Sequence, residues 1–513
     1  MLARVRTAAL AGPAARPIVV EVDLARGLPA FHLVGLPDGA IRESRDRVLA
    51  ALTNCGFDAP LRRITVNLAP ADEPKFGTGF DLPIALAILV ADGRVASENG
   101  EAIAALGELG LDGRVRPVRG ALPAAAALAA LGARQILVAP ENAGEAALVE
   151  GLAAIPAPSL RDAVDHLSGL ARIEPAAKPR GEARLAAEGD WADVRGQTEA
   201  RRALEIAAAG FHNVLLVGPP GAGKTYLARR FPTILPPLAP AEALEVTSIH
   251  SAWGRLAPDR PLLRRPPFRA PHHTISTAAL LGGGSPPRPG EVSLAHRGVL
   301  FLDELPEFRR DALEGLRQPL EDGEVTIGRA ARTCRWPTRF LLVGAMNPCP
   351  CGWWGEPSKG CKCSGIAHQR YRTRLSGPLL DRIDLHVHVR PVEYESLEAE
   401  GEPASSSDEV RGRIEAARIR QEMRNGVGVW NARIDPLDPE SECGLDRDGR
   451  ALLRSSHVRL GLSARGHVRV LRVARTIADL KGTETIDSEQ LSEALQYREV
   501  KATGPREEGG PAS

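Results

Sequence analysis

The stretch Val214-Leu-Leu-Val-Gly218-Pro-Pro-Gly-Ala-Gly-Lys224-Thr225 decides the fold. A short apolar run leads into GxxxxGK[ST], and a helical pattern follows. That is a phosphate loop in the strand, loop and helix setting that gives the motif its meaning. Glycines let the backbone curl until its N–H groups face a phosphate, and the following helix adds its positive end. Gly218, Pro219, Pro220, Gly221, Ala222 and Gly223 form the candidate cradle. Lys224 is suited to the β- and γ-phosphates of ATP, and Thr225 to Mg²⁺.

Two more apolar runs end in polar residues. VLFLDE (299–304) ends on Asp303 and Glu304. Asp303 suits Mg²⁺ held through water, and Glu304 suits activation of an attacking water. FLLVGAMN (340–347) ends on Asn347, which suits either orienting that water or capping a loop. Such runs fit parallel strands buried on both faces, so the expected class is α/β with a P-loop core. Upstream, Asp193-Val194-Arg-Gly-Gln197 is a short turn signal compatible with an adenine pocket through Val194 and Gln197. Downstream, Leu379-Leu-Asp381-Arg382-Ile-Asp384 puts Arg382 near a strand start. Such an arginine either completes a neighbour's phosphate site or makes an ordinary surface salt bridge.

Around this core, 513 residues carry 65 basic and 64 acidic side chains, a net charge of +1. A polybasic coat is excluded, so any anion-binding surface is local. Seven of the basic residues are lysines, which makes Lys224 more telling. No run approaches the ~18 apolar residues of a membrane span, and the N-terminus reads as a strand start. A cytoplasmic protein without a membrane partner is expected. Residues 174–190 and 393–407 read as linkers and 503–513 as a disordered tail. They leave three blocks, 1–173, 191–392 and 408–502. The first reads as mixed α/β, with strands at IVVEVDL (18–24) and ITVNLAP (64–70); the last reads as helical.

Seven cysteines are present, and four cluster as Cys349-Pro-Cys351…Cys361-Lys-Cys363. Four thiols with glycine and proline for tight turns suit a tetrahedral, structural Zn²⁺ in a reducing compartment. The alternative is four ordinary thiols on a loop. Trp353 and Trp354 at the tip suit base stacking or, more safely, packing on the loop itself. Residues 249–273 and Glu324–Arg335 are candidate hairpins, the second bearing Arg329, Arg332 and Arg335. Local arginine clusters bind phosphates, and a solvated surface hairpin is an equal reading. His272 and His273 are expected to be structural or to contact DNA.

The order of phosphate loop, Asp-Glu strand, Asn strand, Leu-Asp-Arg and helical block resembles the AAA+ ATPases. More specifically, FRAPHHTIS (268–276), GGGSPPRPGEVSLAHRGVLFLDELPEF (282–308), LRQPLEDGEVTIGRA (316–330) and LSARGHVRVLRVARTIADL (462–480) resemble the magnesium-chelatase-like branch, in particular the YifB/ComM family. The resemblance implies Glu304 as catalytic base, Asn347 as sensor 1, Arg382 as arginine finger and Arg465 as sensor 2, with Arg469 and Arg472 close enough to blur the last. It further implies a homo-oligomer, a hexamer with ATP sites between subunits. ComM proteins are similar to DNA helicases of branch migration in natural transformation, so single-stranded or branched DNA is the implied partner. A chelatase-type or chaperone-like motor acting on a protein is the alternative.

Against that background the first block resembles the Lon-protease-like fold. At the positions of the Lon serine and lysine it has Gly79 and Leu122. Neither supplies an attacking oxygen or takes its proton, so no peptidase activity is expected. Because stand-alone chelatase motors resemble the second and third blocks, the extra block favours the DNA reading.

Overall fold

The computed structural model describes residues 1–95, 103–179, 189–284, 287–329, 332–356, 359–391, 405–434, 443–460 and 462–498. Most of both linkers (180–188 and 392–404) and the whole tail lie outside these residues.

At the centre is an all-parallel sheet of five strands, in spatial order Phe268–Arg269, Val299–Leu302, Leu341–Met346, Val214–Val217 and Leu385–His388. Val214 of the phosphate-loop strand pairs with Val343 on one side and Leu385 on the other. The strands Val214–Val217 and Val299–Leu302 are buried along their whole length, as expected for a sheet covered on both faces. The strand ending at Asn347 lies between the phosphate-loop strand and the strand ending at Asp303. All three polar ends therefore open onto one edge of the sheet, where ligands bind in open α/β folds.

Helix Thr198–Gly210 and the C-terminal helices Ser407–Asn425, Ala464–Lys481 and Ser488–Gln496 share one apolar core with a sheet face. The third block is helical as expected, and it is not a loosely attached cap. Arg202 binds Glu493 at 2.8 Å, Arg413 binds Glu205 at 2.7 Å, and Gln421 donates to the Ala209 carbonyl at 3.1 Å. The helix Ser407–Asn425 starts on a capping box, Ser406 with Glu409, which fixes where it begins.

The first block holds the hairpin Leu2–Ala11 and Ala14–Ala25, extended by Arg63–Ala69 and then by Ala30–Val34. Ile18, Val20, Val22 and Leu24 all face inward, the period of two expected of a strand with one buried face. A second, parallel sheet joins Ala105–Leu106, Gln135–Val138 and Ala153–Pro156. The block is seated on the second block: Gly120 N–H donates to the Ser251 carbonyl at 3.0 Å, and the Ser251 hydroxyl donates to the buried Glu145 carboxylate. Burial pushes the Glu145 carboxyl upward.

The 249–273 segment is not a hairpin. Residues up to Trp253 complete the helix Pro240–Trp253, and the rest is loop ending in the short edge strand Phe268–Arg269. The second expected hairpin does form, with Glu324–Arg329 antiparallel to Arg332–Pro337. Its Val325, Ile327, Cys334 and Trp336 enter the core while Arg335 stays exposed. The side chains of Arg329 and Arg332 lie outside the described ones.

Two histidines, His250 buried and His386 partly buried, make the fold sensitive to acid. Burial pulls His250 and His386 down to about 4. The unfolded chain takes up their protons below about 6.5, so this stability is complete above that pH and is lost as pH falls toward 4. Each histidine should cost about 2 kcal/mol between pH 7 and pH 5. Unfolding midpoints at the two pH values check this: the drop should shrink in His250→Gln.

Candidate nucleotide site

The phosphate loop needs its glycines for stated reasons. Gly221 and Gly223 have φ of +80° and +88°, a region that strains side-chain-bearing residues. A Cβ on Gly218 would stand 2.1 Å from the Val389 carbonyl oxygen. Lys224 opens the helix Lys224–Arg230. Its buried ammonium donates to Gly218 O at 2.7 Å, Pro219 O at 2.9 Å and Asn347 Oδ1 at 3.1 Å. Burial lowers its proton affinity, with Asp303 opposing the shift. The amine thus lies over the cradle, with Asn347 within reach of it.

The Thr225 hydroxyl donates to Asp303 Oδ2 at 2.7 Å. A hydroxyl and a carboxylate converging beside the cradle are the hard oxygen donors that Mg²⁺ takes with a nucleotide phosphate, so these residues fit the ion. The backbone N–H of Glu304 donates to Asp303 Oδ1 at 2.9 Å. Glu304 itself has φ +52°, an unusual backbone for a non-glycine residue and one found at functional turns. Its exposed carboxylate meets His273 Nδ1 at 3.2 Å. His273 in turn stacks on His272, with ring centroids 4.1 Å apart, and meets Phe308 edge-on.

The His273–Glu304 contact was not foreseen. The HHT sequence carried no ligand spacing, and only the pairing of Phe268–Arg269 beside Val299–Leu302 brings the following loop to the acidic strand end. Gln197 lies beside the phosphate loop, donating to Ala222 O at 2.9 Å and Arg390 O at 2.6 Å. Val194 is buried nearby in the core.

The two arginine candidates are brought together elsewhere. Arg382 is 8% exposed. It binds Glu321 through one guanidinium nitrogen and Pro378 O at 2.7 Å through another. Arg465 is 64% exposed and approaches the same Glu321 at 3.8 Å. Arg469 is separated from them in role: it binds the buried Asp384 at 3.3 Å, whose carboxylate also accepts from the Asn213 N–H at 3.0 Å.

The four cysteines do converge. Their sulfurs all lie within 4.8 Å of one another. Trp353 is covered by Lys359 and Trp354 lies on His368, 4.0 Å between centroids, so both tryptophans pack within the loop. Backbone N–H groups of Trp353 and Lys362 hold the Cys351 thiol below its ordinary range, while burial pushes the Cys349, Cys361 and Cys363 thiols up. In the first block Gly79 packs on Leu106 and Leu122 is buried.

Three family models match. "Magnesium chelatase, subunit ChlI" covers residues 190–397, "Subunit ChlI of Mg-chelatase" covers 20–142, and "Magnesium chelatase, subunit ChlI C-terminal" covers 404–498. With the parallel sheet, phosphate loop and acidic strand end, they define a magnesium-chelatase-like AAA+ ATPase. The chain is 43% identical over 500 residues to YifB of Salmonella typhimurium and 43% identical over 501 residues to the competence protein ComM of Haemophilus influenzae, each covering 97% of both chains. It belongs to the YifB/ComM family. The 38 kDa magnesium-chelatase subunit of Cereibacter sphaeroides is 25% identical over 345 residues, covering 62% of this chain and 94% of that one. Since a chelatase-subunit model also covers 20–142, the first block by itself does not argue against a chelatase-type reading.

Proposed function

We propose that this chain is a ring-forming motor that hydrolyses ATP with Mg²⁺ and uses the energy to bind and move along DNA. The observation carrying the chemistry is the convergence of Lys224, Thr225, Asp303, Glu304 and Asn347 at one sheet edge. The DNA reading draws on the 97% coverage shared with the competence protein, against 62% of this chain for the chelatase subunit.

Lys224 and the loop N–H groups bind phosphate oxygens. Thr225 and Asp303 would hold Mg²⁺, which would neutralise charge on the leaving phosphates. Glu304 takes the proton of the attacking water, which Asn347 orients. His273 is a positioning residue that holds the Glu304 carboxylate when no water is poised. In a hexamer, Arg382 leaves Glu321 to stabilise the neighbour's transition state, and Arg465 carries the nucleotide state to the helical block. Val194 and Gln197 border the base. A structural Zn²⁺ on Cys349, Cys351, Cys361 and Cys363 completes the set. Gly79 and Leu122 leave the first block without peptidase chemistry, and a DNA partner places the protein in the cytoplasm.

The test is the steady-state ATPase rate with and without single-stranded and branched DNA. Stimulation of severalfold or more is expected. A rate indifferent to both forms of DNA would favour a motor that remodels a protein.

A further inference from the structure

The cysteine cluster and the nucleotide site are two ends of one short segment, and the contacts between them are direct. Asn347 accepts from Lys224, and Cys349, buried, follows two residues later. The chain then turns at Gly352, whose φ is +83°; a Cβ there would stand 2.4 Å from Cδ of Pro220 in the phosphate loop. At Gly352 the loop therefore lies against Pro220 of the cradle, and only a glycine lets it approach this closely.

The sulfur spacing identifies what the loop is built to hold. Cys349 Sγ is 3.4 Å from Cys351 Sγ and 3.7 Å from Cys361 Sγ, and Cys351 is 3.5 Å from Cys361. Disulfide sulfurs sit about 2.05 Å apart, and all four cysteines are free. Zinc–sulfur bonds of about 2.3 Å in a tetrahedron put sulfurs about 3.8 Å apart, close to the spacing of these three pairs.

Beyond Cys363, Ser364 caps the helix Gly365–Arg372, and this helix closes the loop on itself. His368 Nε2 lies 3.2 Å from Cys361 Sγ, and the half-buried Trp354 covers the His368 ring. Tyr371, from the same helix, lies close enough to the Asn347 backbone to feel its dipole, so the helix comes back beside Asn347.

We infer that Cys349, Cys351, Cys361 and Cys363 bind one zinc ion, with His368 donating to the Cys361 sulfur, and that the filled site is a buckle that holds Asn347 and Pro220 in place for ATP. The inference rests on the ATPase reading for its nucleotide and on the sulfur geometry for its metal. Without the ion, four thiols have no reason to stay within 4.8 Å, and the loop no longer backs the cradle. Partners outside a metal's own ligands commonly change affinity by 10–100-fold; by the reciprocity of coupled sites, removing the metal should weaken nucleotide binding on the order of tenfold.

The experiment has three readouts on the full-length protein. Elemental analysis of protein purified without added metal should give close to one zinc per chain. Hydrogen exchange is then compared between zinc-loaded protein, protein stripped with a mercurial and reduced, and stripped protein given zinc again. Exchange should rise on stripping in peptides spanning 347–352 and also 218–224, and fall on zinc return. The affinity of a fluorescent ATP analogue should follow the same order. The double variant Cys361→Ser, Cys363→Ser should copy the stripped state while keeping Cys349 in its buried place.

Zinc far below one per chain, or iron in its place, overturns the metal assignment. One zinc per chain, with unchanged exchange at 218–224 on stripping, overturns the buckle. Exchange that responds to zinc in a protein that binds no nucleotide upholds metal and buckle, and counts against the ATPase reading instead.

Discussion

Glu304→Gln should bind ATP as tightly as the parent and hydrolyse it at least about 10²-fold more slowly, the usual contribution of a positioned general base. The substitution is close to isosteric. The Asp303 carboxylate still accepts the backbone N–H of residue 304, and the amide still reaches His273, so the unusual φ of +52° has no new reason to relax. What is lost is the group proposed to take the water's proton. Thr225, Asp303 and Lys224 are untouched, so the variant should accumulate ATP-bound protein locked in its assembled ring. Equilibrium binding, single-turnover hydrolysis and sedimentation with ATP check the three parts. Hydrolysis at the parent rate would remove Glu304 as the base.

Lys224→Ala should fail one step earlier. The ammonium has three acceptors, two of them carbonyls of the loop itself. Removing it takes away the positive charge facing the β- and γ-phosphates and leaves those oxygens unsatisfied in a buried place. Hydrogen bonds to a charged group are worth roughly 1.5–3 kcal/mol each, so a loss of ATP affinity of 10²-fold or more is expected. Hydrolysis should be undetectable with or without DNA. The two variants thus separate binding from chemistry: one keeps the nucleotide and the other cannot take it up. Equal ATP affinity in Lys224→Ala and the parent would place the phosphates elsewhere.

Much of this site could be read from the sequence because its parts are local. GxxxxGK[ST] after four apolar residues specifies strand, loop and helix within a dozen positions. Asp303 and Glu304 are marked the same way, by the run that carries them. The central strands announce themselves because burial on both faces removes any alternation. The four cysteines lie within fifteen residues, so their convergence needs one folded loop and no distant pairing. What escaped depends on long-range order. His273 reaches Glu304 only because the strand Phe268–Arg269 takes the edge beside Val299–Leu302, a pairing no local pattern encodes. The segment 249–273 was expected as a hairpin, yet its first residues complete the helix Pro240–Trp253. Arg465 and Arg469 look alike in sequence, and only the fold sends one to solvent and the other to Asp384.

The pairing of Arg382 with Glu321 turns subunit association into a barter. In a ring where Arg382 serves a neighbour's nucleotide, each closing contact would break an ion pair between a buried arginine and a half-exposed glutamate before forming another. The net gain is the difference between two partners of one guanidinium, which can be small even when each partner alone is strong. Glu321, left behind, then faces Arg465, already 3.8 Å away and mostly in water. One carboxylate thereby hands its charge from a residue that serves the adjacent subunit to one on the helical block of its own. In the proposed ring, a nucleotide that outcompetes Glu321 for Arg382 would decide which side is favoured, and an empty ring would have little electrostatic reason to stay closed.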